Sequence, residues 1–279
     1  MFKNKINVFK RYTKKPNTIS RGALYLTTLK FLGEDKIIRV YVPHNYDFEN
    51  ENKRFPTIYM FDGQNIVDKY TTAFGEWNID EEINIGIKNK LIEGLIVIGI
   101  DSPSDDLKRM NEMNPTTKNI QIPYNTVINE EHLDEFMDFI VNEVKPLVDK
   151  VFHTKKEREF TLLGGSSMGG LASFVGQIKY NHVFKGALSF SPAFCLYTNE
   201  SIIEEINKFD FNKMGKIFFF MGNKGFEKEL YPAMNVMYNE LCKHDIDHKI
   251  KYVFDSEGEH NEAEWQKHFL EAVVYLLKD

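Results

Sequence analysis

The sequence predicts an α/β protein: a mostly parallel central sheet with a leading antiparallel hairpin, and helices on both faces. Three observations carry that prediction. From about residue 55 onward, short apolar runs alternate with helix-length amphipathic stretches, the rhythm of a parallel sheet covered by helices. Before them, residues 20–30 and 36–43 alternate, are rich in Leu, Val, Ile, Thr and Tyr, and flank Gly33-Glu34-Asp35 as a hairpin would. Finally, the heptad Gly164-Gly165-Ser166-Ser167-Met168-Gly169-Gly170 lies between the apolar run Phe160–Leu163 and the helix-like stretch Leu171–Tyr180. A strand, a sharp glycine-flanked turn and a helix in that order belong to open α/β sheets.

Taken in order, residues 1–17 have mixed charge and little periodicity, and read as a loosely tethered arm. After the hairpin, Phe55–Met60 is a short strand ending at Phe61-Asp62-Gly63, and Leu95–Ile100 is a second. Residues 102–128 carry prolines, asparagines and charges without strong periodicity, so they read as a long loop and a candidate lid. Residues 130–149 place Leu133, Phe136, Phe139, Ile140 and Val144 on one helical face. Further strands fall at Gly186–Phe190, Ile217–Met221 and Ile250–Phe254, and helices near 226–243 and 262–278. With no internal repeat and no composition break, residues 18–279 read as a single domain behind the arm.

Composition narrows the function. Hydrophobic residues make up 42% of the 279, enough for a sizeable core. The net charge of −6, from 35 basic and 41 acidic residues, argues against nucleic acid as a partner. Cys195 and Cys242 read as two buried free thiols. Met1–Ser20 is basic and polar with no apolar core, and no run reaches membrane-spanning length, so the protein reads as cytoplasmic with no membrane partner. The oligomeric state is not written in the sequence.

The heptad carries the chemistry. In a nucleophile elbow the strand and helix nearly touch, so the positions two before and two after the central serine must be small. Ser167 has Gly165 and Gly169 there, whereas Ser166 has Gly164 and Met168, so the spacing selects Ser167. A serine hydroxyl needs a base, and in this fold the order is Ser, then Asp or Glu, then His. His260, in the polar loop after the last strand, fits; His44, His132, His153, His182, His244, His248 and His268 read as solvated. The acid should follow Ile217–Met221, where only Glu227 and Glu229 are available, with Glu227 nearer the strand end. Both also suit the first turn of a helix. The oxyanion donors are the backbone N–H of Met168 and that of Gln64, in the turn after the first parallel strand. The side chains of Asp62, Gln64 and Asn65 read as pins for that turn. The heptad lacks the lysine of a phosphate loop and the dinucleotide spacing, and no zinc-binding pair of histidines is present, so no cofactor or metal is expected.

Several segments together resemble a known family. Tyr59-Met60-Phe61-Asp62-Gly63-Gln64-Asn65, Glu76-Trp77-Asn78-Ile79-Asp80-Glu81, Arg109-Met110-Asn111-Glu112-Met113-Asn114-Pro115, Gly165–Gly170, Ser189-Phe190-Ser191-Pro192 and Glu259–Trp265 occur in this order. The set resembles the putative esterase family of α/β-hydrolases over residues 20–278. That family includes siderophore-trilactone (enterochelin), feruloyl and acetyl-xylan esterases, and distantly esterase D. The resemblance implies the α/β-hydrolase fold, Ser167 as nucleophile, His260 as base and Met168 and Gln64 as oxyanion donors. The family often has an acid where this chain has Gly225, which leaves Glu227, Glu229 or a Ser–His dyad. Arg109 either steers substrate or pairs with Glu112 to brace the long loop. Trp77 either lines the pocket or packs beneath the loop.

The expectation is a serine carboxylic-ester hydrolase acting through an acyl-enzyme on a small-molecule ester: a siderophore lactone, a phenolic ester, an acylated sugar or a short-chain ester. Acyl transfer from the same intermediate, and an inactive binding module on the same fold, are the alternatives.

Overall fold

The computed structural model describes residues 8–116 and 128–278. By its internal contacts the chain forms two compact units: residues 1–102, 138–162 and 261–279, and residues 103–137 and 163–260.

In the first unit the strands are β1 (Lys10–Arg11), β2 (Ala23–Phe31), β3 (Glu34–Val42), β4 (Thr57–Phe61) and β5 (Ile96–Ile100), in the spatial order β1-β2-β3-β5-β4. β1, β2, β3 and β5 pair antiparallel, and β4 joins β5 in parallel. The expected hairpin is present, but its turn is Leu32-Gly33, with Phe31 opposite Glu34. Both turn residues have positive φ (48° and 82°), as a two-residue hairpin turn requires, so Glu34 and Asp35 open the next strand. The parallel strands are buried on both faces and read as continuous apolar runs: Ile58, Tyr59, Met60, Ile96, Val97 and Ile98 are fully buried.

The same unit holds α1 (Ile79–Lys88), which the sequence reading passed over, and the terminal α8 (Glu262–Leu277). The two pack together, and the rings of Trp77 and Trp265 lie tilted against each other at 5.6 Å. The described end of the N-terminal arm is anchored: Phe9 is buried, Lys10–Arg11 form β1, and the Tyr12 hydroxyl donates to Asp68 at 2.7 Å. His153 is a correction. It is buried with its ring stacked on Tyr46 at 5.4 Å, and burial lowers its pKa.

The second unit has the strand order β6 (Thr161–Ser166, from Leu163 on), β7 (Gly186–Phe190), β8 (Lys216–Gly222) and β9 (Ile250–Asp255). β7, β8 and β9 pair in parallel, with Phe190 opposite Phe220 and Gly222 opposite Asp255. This register ends the strands at neighbouring levels, so the loops after β7, β8 and β9 emerge side by side. α5 (Met168–Lys179) packs on β7, and Phe174 meets Phe194 and Phe219 edge-on or tilted at 5.7 and 5.5 Å. α6 (Asn199–Ile206) and α7 (Glu227–Cys242) also belong to it. Cys195 is half-buried and Cys242 exposed, so only the first behaves as the enclosed thiol expected of both.

Two expected elements are corrected. Residues 102–128 are not all loop: α2 (Asp106–Met113) lies within them. Asp105 caps it by accepting from the Lys108 N–H at 3.0 Å, a signal that weak apolar periodicity concealed. Residues 117–127 of the candidate lid lie outside the described residues. The helix expected over 130–149 is α3 (Leu133–Phe139) and α4 (Lys145–Val151), joined by a π turn at Ile140–Val144. Pro146 sits in the first turn of α4 and has no N–H to give.

Candidate active site

The second unit holds Ser167, Glu227 and His260 after the carboxyl ends of β6, β8 and β9. Ser167 stands between β6 and α5 with φ 57° and ψ −121°, a strained conformation for a residue with a side chain. Backbone hydrogen bonds impose it. The Ser167 N–H donates to Phe190 O (2.9 Å), and Ser167 O accepts from the N–H groups of Leu171 (3.0 Å) and Ala193 (3.1 Å). A Cβ at Gly165 would lie 2.7 Å from the Gly169 carbonyl, which is why glycine was needed two residues before the serine. Ser166, by contrast, is buried at the end of β6. Met168 opens α5, so its N–H is one of the unpaired donors of a helix N-terminus.

His260 follows β9. Its Nδ1 faces Glu227 Oε1 at 3.3 Å, and its side chain is 16% exposed. Glu227 is fully buried in the first turn of α7, whereas Glu229 is exposed. Of the two carboxylates left open by the sequence, the structure brings Glu227 to the imidazole. The loop before it is shaped by Gly225, whose φ of 57° suits glycine, and a Cβ at Gly222 would sit 2.3 Å from the Gly258 carbonyl oxygen. That oxygen accepts from the N–H groups of Asn223 (3.2 Å) and Lys224 (3.0 Å), tying the acid-bearing loop to the histidine-bearing loop.

Ser191 was missed as a member of this constellation. Its hydroxyl, fully buried, donates to the same Glu227 oxygen that faces His260. Its φ is 44°, again strained for a serine, and its N–H bonds Phe220 O at 2.8 Å. The signal was the Ser-Pro pair that closes β7, which marks a turn and gives no hint of what the hydroxyl meets. A buried carboxylate accepting a hydroxyl proton and facing an imidazole can hold one tautomer and stabilise the imidazolium. Phe226 stands beside this pair, its ring perpendicular to the His260 ring at 5.2 Å.

Gln64 belongs to the first unit. It sits in a 3-10 turn, Gly63–Asn65, directly after the left-handed Asp62. The side chains do pin this turn: Asp62 accepts from the Ser102 hydroxyl, Gln64 Oε1 from the Ser102 N–H (3.0 Å), and Asn65 Nδ2 donates to Glu262 (3.0 Å). Trp77 is 2% exposed and packs on Trp265 and Phe269, so its ring is a core element of that unit. Arg109 lies half-buried on α2, three residues before the buried Glu112. Asn111 and Asn114, from the same segment, brace residues 129–133. Asn111 Nδ2 donates to Asn129, and Asn114 donates to Glu130 O and accepts from the Tyr197 hydroxyl. Among the described residues, no group of three His, Cys, Asp or Glu side chains could hold a metal, and no helix is long and apolar enough to cross a membrane.

The elements and their order are those of the α/β-hydrolase fold. The family model described as putative esterase matches residues 30–276, and the chain belongs to that family. An acetyl esterase from Caldicellulosiruptor saccharolyticus is 35% identical over 68 residues, 24% of this chain and 26% of that protein. The enterobactin esterase of Shigella flexneri, solved in the presence of 2,3-di-hydroxy-N-benzoyl-glycine, superposes with a TM-score of 0.70 at 14% identity, over 92% of this chain and 59% of its own. The siderophore hydrolase EstA from Aspergillus nidulans gives a TM-score of 0.66 at 19% identity, over 95% of this chain and 96% of its own. The chain thus spans about a quarter of the curated relative and 59% of the enterobactin esterase.

Proposed function

We propose that the protein is a serine carboxylic-ester hydrolase and that residues 18–279 act as one catalytic domain. The observation that carries this reading is the constellation in the second unit: Ser167 at a strained elbow, with His260 held 3.3 Å from the buried Glu227. Family membership and esterase relatives point the same way. Ser167 Oγ attacks the ester carbonyl while His260 takes its proton. Glu227, steadied by Ser191, orients the imidazole and stabilises its charged form. The backbone N–H of Met168 meets the developing oxyanion. The C–O bond to the alcohol breaks and the alcohol leaves with the proton from His260. Water, activated by the same imidazole, then releases the acid from Ser167.

The substrate class is a small-molecule ester. A panel of p-nitrophenyl acyl esters, feruloyl esters and a siderophore trilactone tests the reading, with Ser167→Ala as control. Turnover that vanishes in Ser167→Ala supports it, and the preferred member selects the substrate class. Turnover that survives the substitution contradicts it.

A further inference from the structure

The mechanism leaves one residue beside the base unexplained. Phe226 is 44% exposed, although large aromatic side chains are usually enclosed. It immediately precedes Glu227 and follows the left-handed Gly225, and the edge-to-face contact with His260 is 5.2 Å between ring centroids at 87°. The segment carrying it is fixed, because the Asn223 and Lys224 N–H groups both bond Gly258 O, in the loop that bears His260. An exposed ring on a tethered segment, against the ring of the base, presents apolar surface beside the imidazole.

The geometry points to Phe226 as a specificity-determining residue for the alcohol portion of the ester, favouring aromatic and bulky apolar alcohols. This rests on the reading of Ser167 and His260 as nucleophile and base. In acylation the bond from Ser167 Oγ to the carbonyl carbon forms and the bond from that carbon to the alcohol oxygen breaks. The serine proton passes through His260 to that oxygen. The leaving oxygen must therefore come within hydrogen-bond reach of the imidazole. Its substituent lies next to the side chains that flank the imidazole, and Phe226 is one of them. In deacylation the alcohol has gone, so the contact acts on the first half-reaction only.

Phenyl acetate and methyl acetate give the same acetyl-enzyme and differ only in the alcohol. The test measures kcat/KM for both, and the deacylation rate from burst kinetics, in the wild type, Phe226→Leu and Phe226→Ala. The ratio of phenyl to methyl kcat/KM should fall about tenfold in Phe226→Ala and less in Phe226→Leu, with deacylation changed less than about twofold. An unchanged ratio overturns the proposal. So does an equal loss on both esters with slower deacylation, because Phe226 would then serve only to brace His260. If the wild type neither turns over either ester nor takes a covalent phosphonate on Ser167, the hydrolase reading fails and this proposal fails with it.

Discussion

Gly222 and Gly258 touch so closely that a Cβ on Gly222 would lie 2.3 Å from the Gly258 carbonyl oxygen and 2.9 Å from Glu227 Cγ. The end of β8 and the loop carrying His260 therefore meet backbone to backbone, which lets a carboxylate on α7 reach the imidazole. Gly222→Ala should force the two loops apart, costing about 1–3 kcal/mol of stability and a larger share of activity than of fold. Denaturant unfolding and kcat/KM on the same preparation check this. Full activity in that variant would mean that the close approach is incidental.

The choice of acid is testable by a pair of substitutions. Glu227→Gln keeps the shape but offers the imidazole a neutral partner, and should lower kcat by roughly 10²–10⁴-fold. Glu229→Ala, at an exposed position, should change it by no more than about twofold. The reverse ranking would move the acid to Glu229, and no loss in either would favour a Ser–His dyad.

Ser191→Ala removes the hydroxyl that donates to the fully buried Glu227, whose second oxygen has no hydrogen-bond partner among the described residues. A buried carboxylate that loses a donor costs about 1–3 kcal/mol. Stability should fall by that order, and kcat should drop with a smaller change in KM, since the group acts through Glu227. An effect on KM alone would place Ser191 against the substrate instead.

Asp80 gives the fold a pH dependence. It is fully buried beside Glu81 and accepts from the Ser20 N–H (2.6 Å) and hydroxyl (3.0 Å), and burial together with Glu81 raises its pKa to about 8. An unfolded aspartate releases its proton near pH 4. Between those values the folded state holds a proton that the unfolded chain has given up. This contribution to stability is complete at the acid end and is lost as pH rises through about 8. Asp80→Asn should flatten the decline of stability across that window, followed by thermal unfolding at stepped pH. An unaltered slope would mean that Asp80 is ionised in the fold.

How much was legible in the sequence follows the strength of each local signal. The glycines around Ser167 answer a steric need, so the tight turn between β6 and α5 could be read directly. Chain order pointed to His260, and the structure places it against Glu227. Glu227 could be named but not separated from Glu229, because burial of one and exposure of the other is decided by packing on β8. Ser191 could not be found, since a serine before a proline signals a turn and says nothing of what its hydroxyl meets. α2 was hidden because few of its side chains are buried and its start is marked only by an aspartate cap. The hairpin turn slipped to Leu32-Gly33 because a leucine with positive φ is an unlikely choice by residue type.

The central claim is that Ser167 is the nucleophile. Intact-protein mass spectrometry after reaction with a fluorophosphonate tests it most directly, on the wild type, Ser167→Ala and Ser166→Ala. One phosphonate is expected on the wild type and on Ser166→Ala, located to the peptide bearing Ser167, and none on Ser167→Ala. Labelling that persists in Ser167→Ala, or a wild type that never reacts, would contradict it.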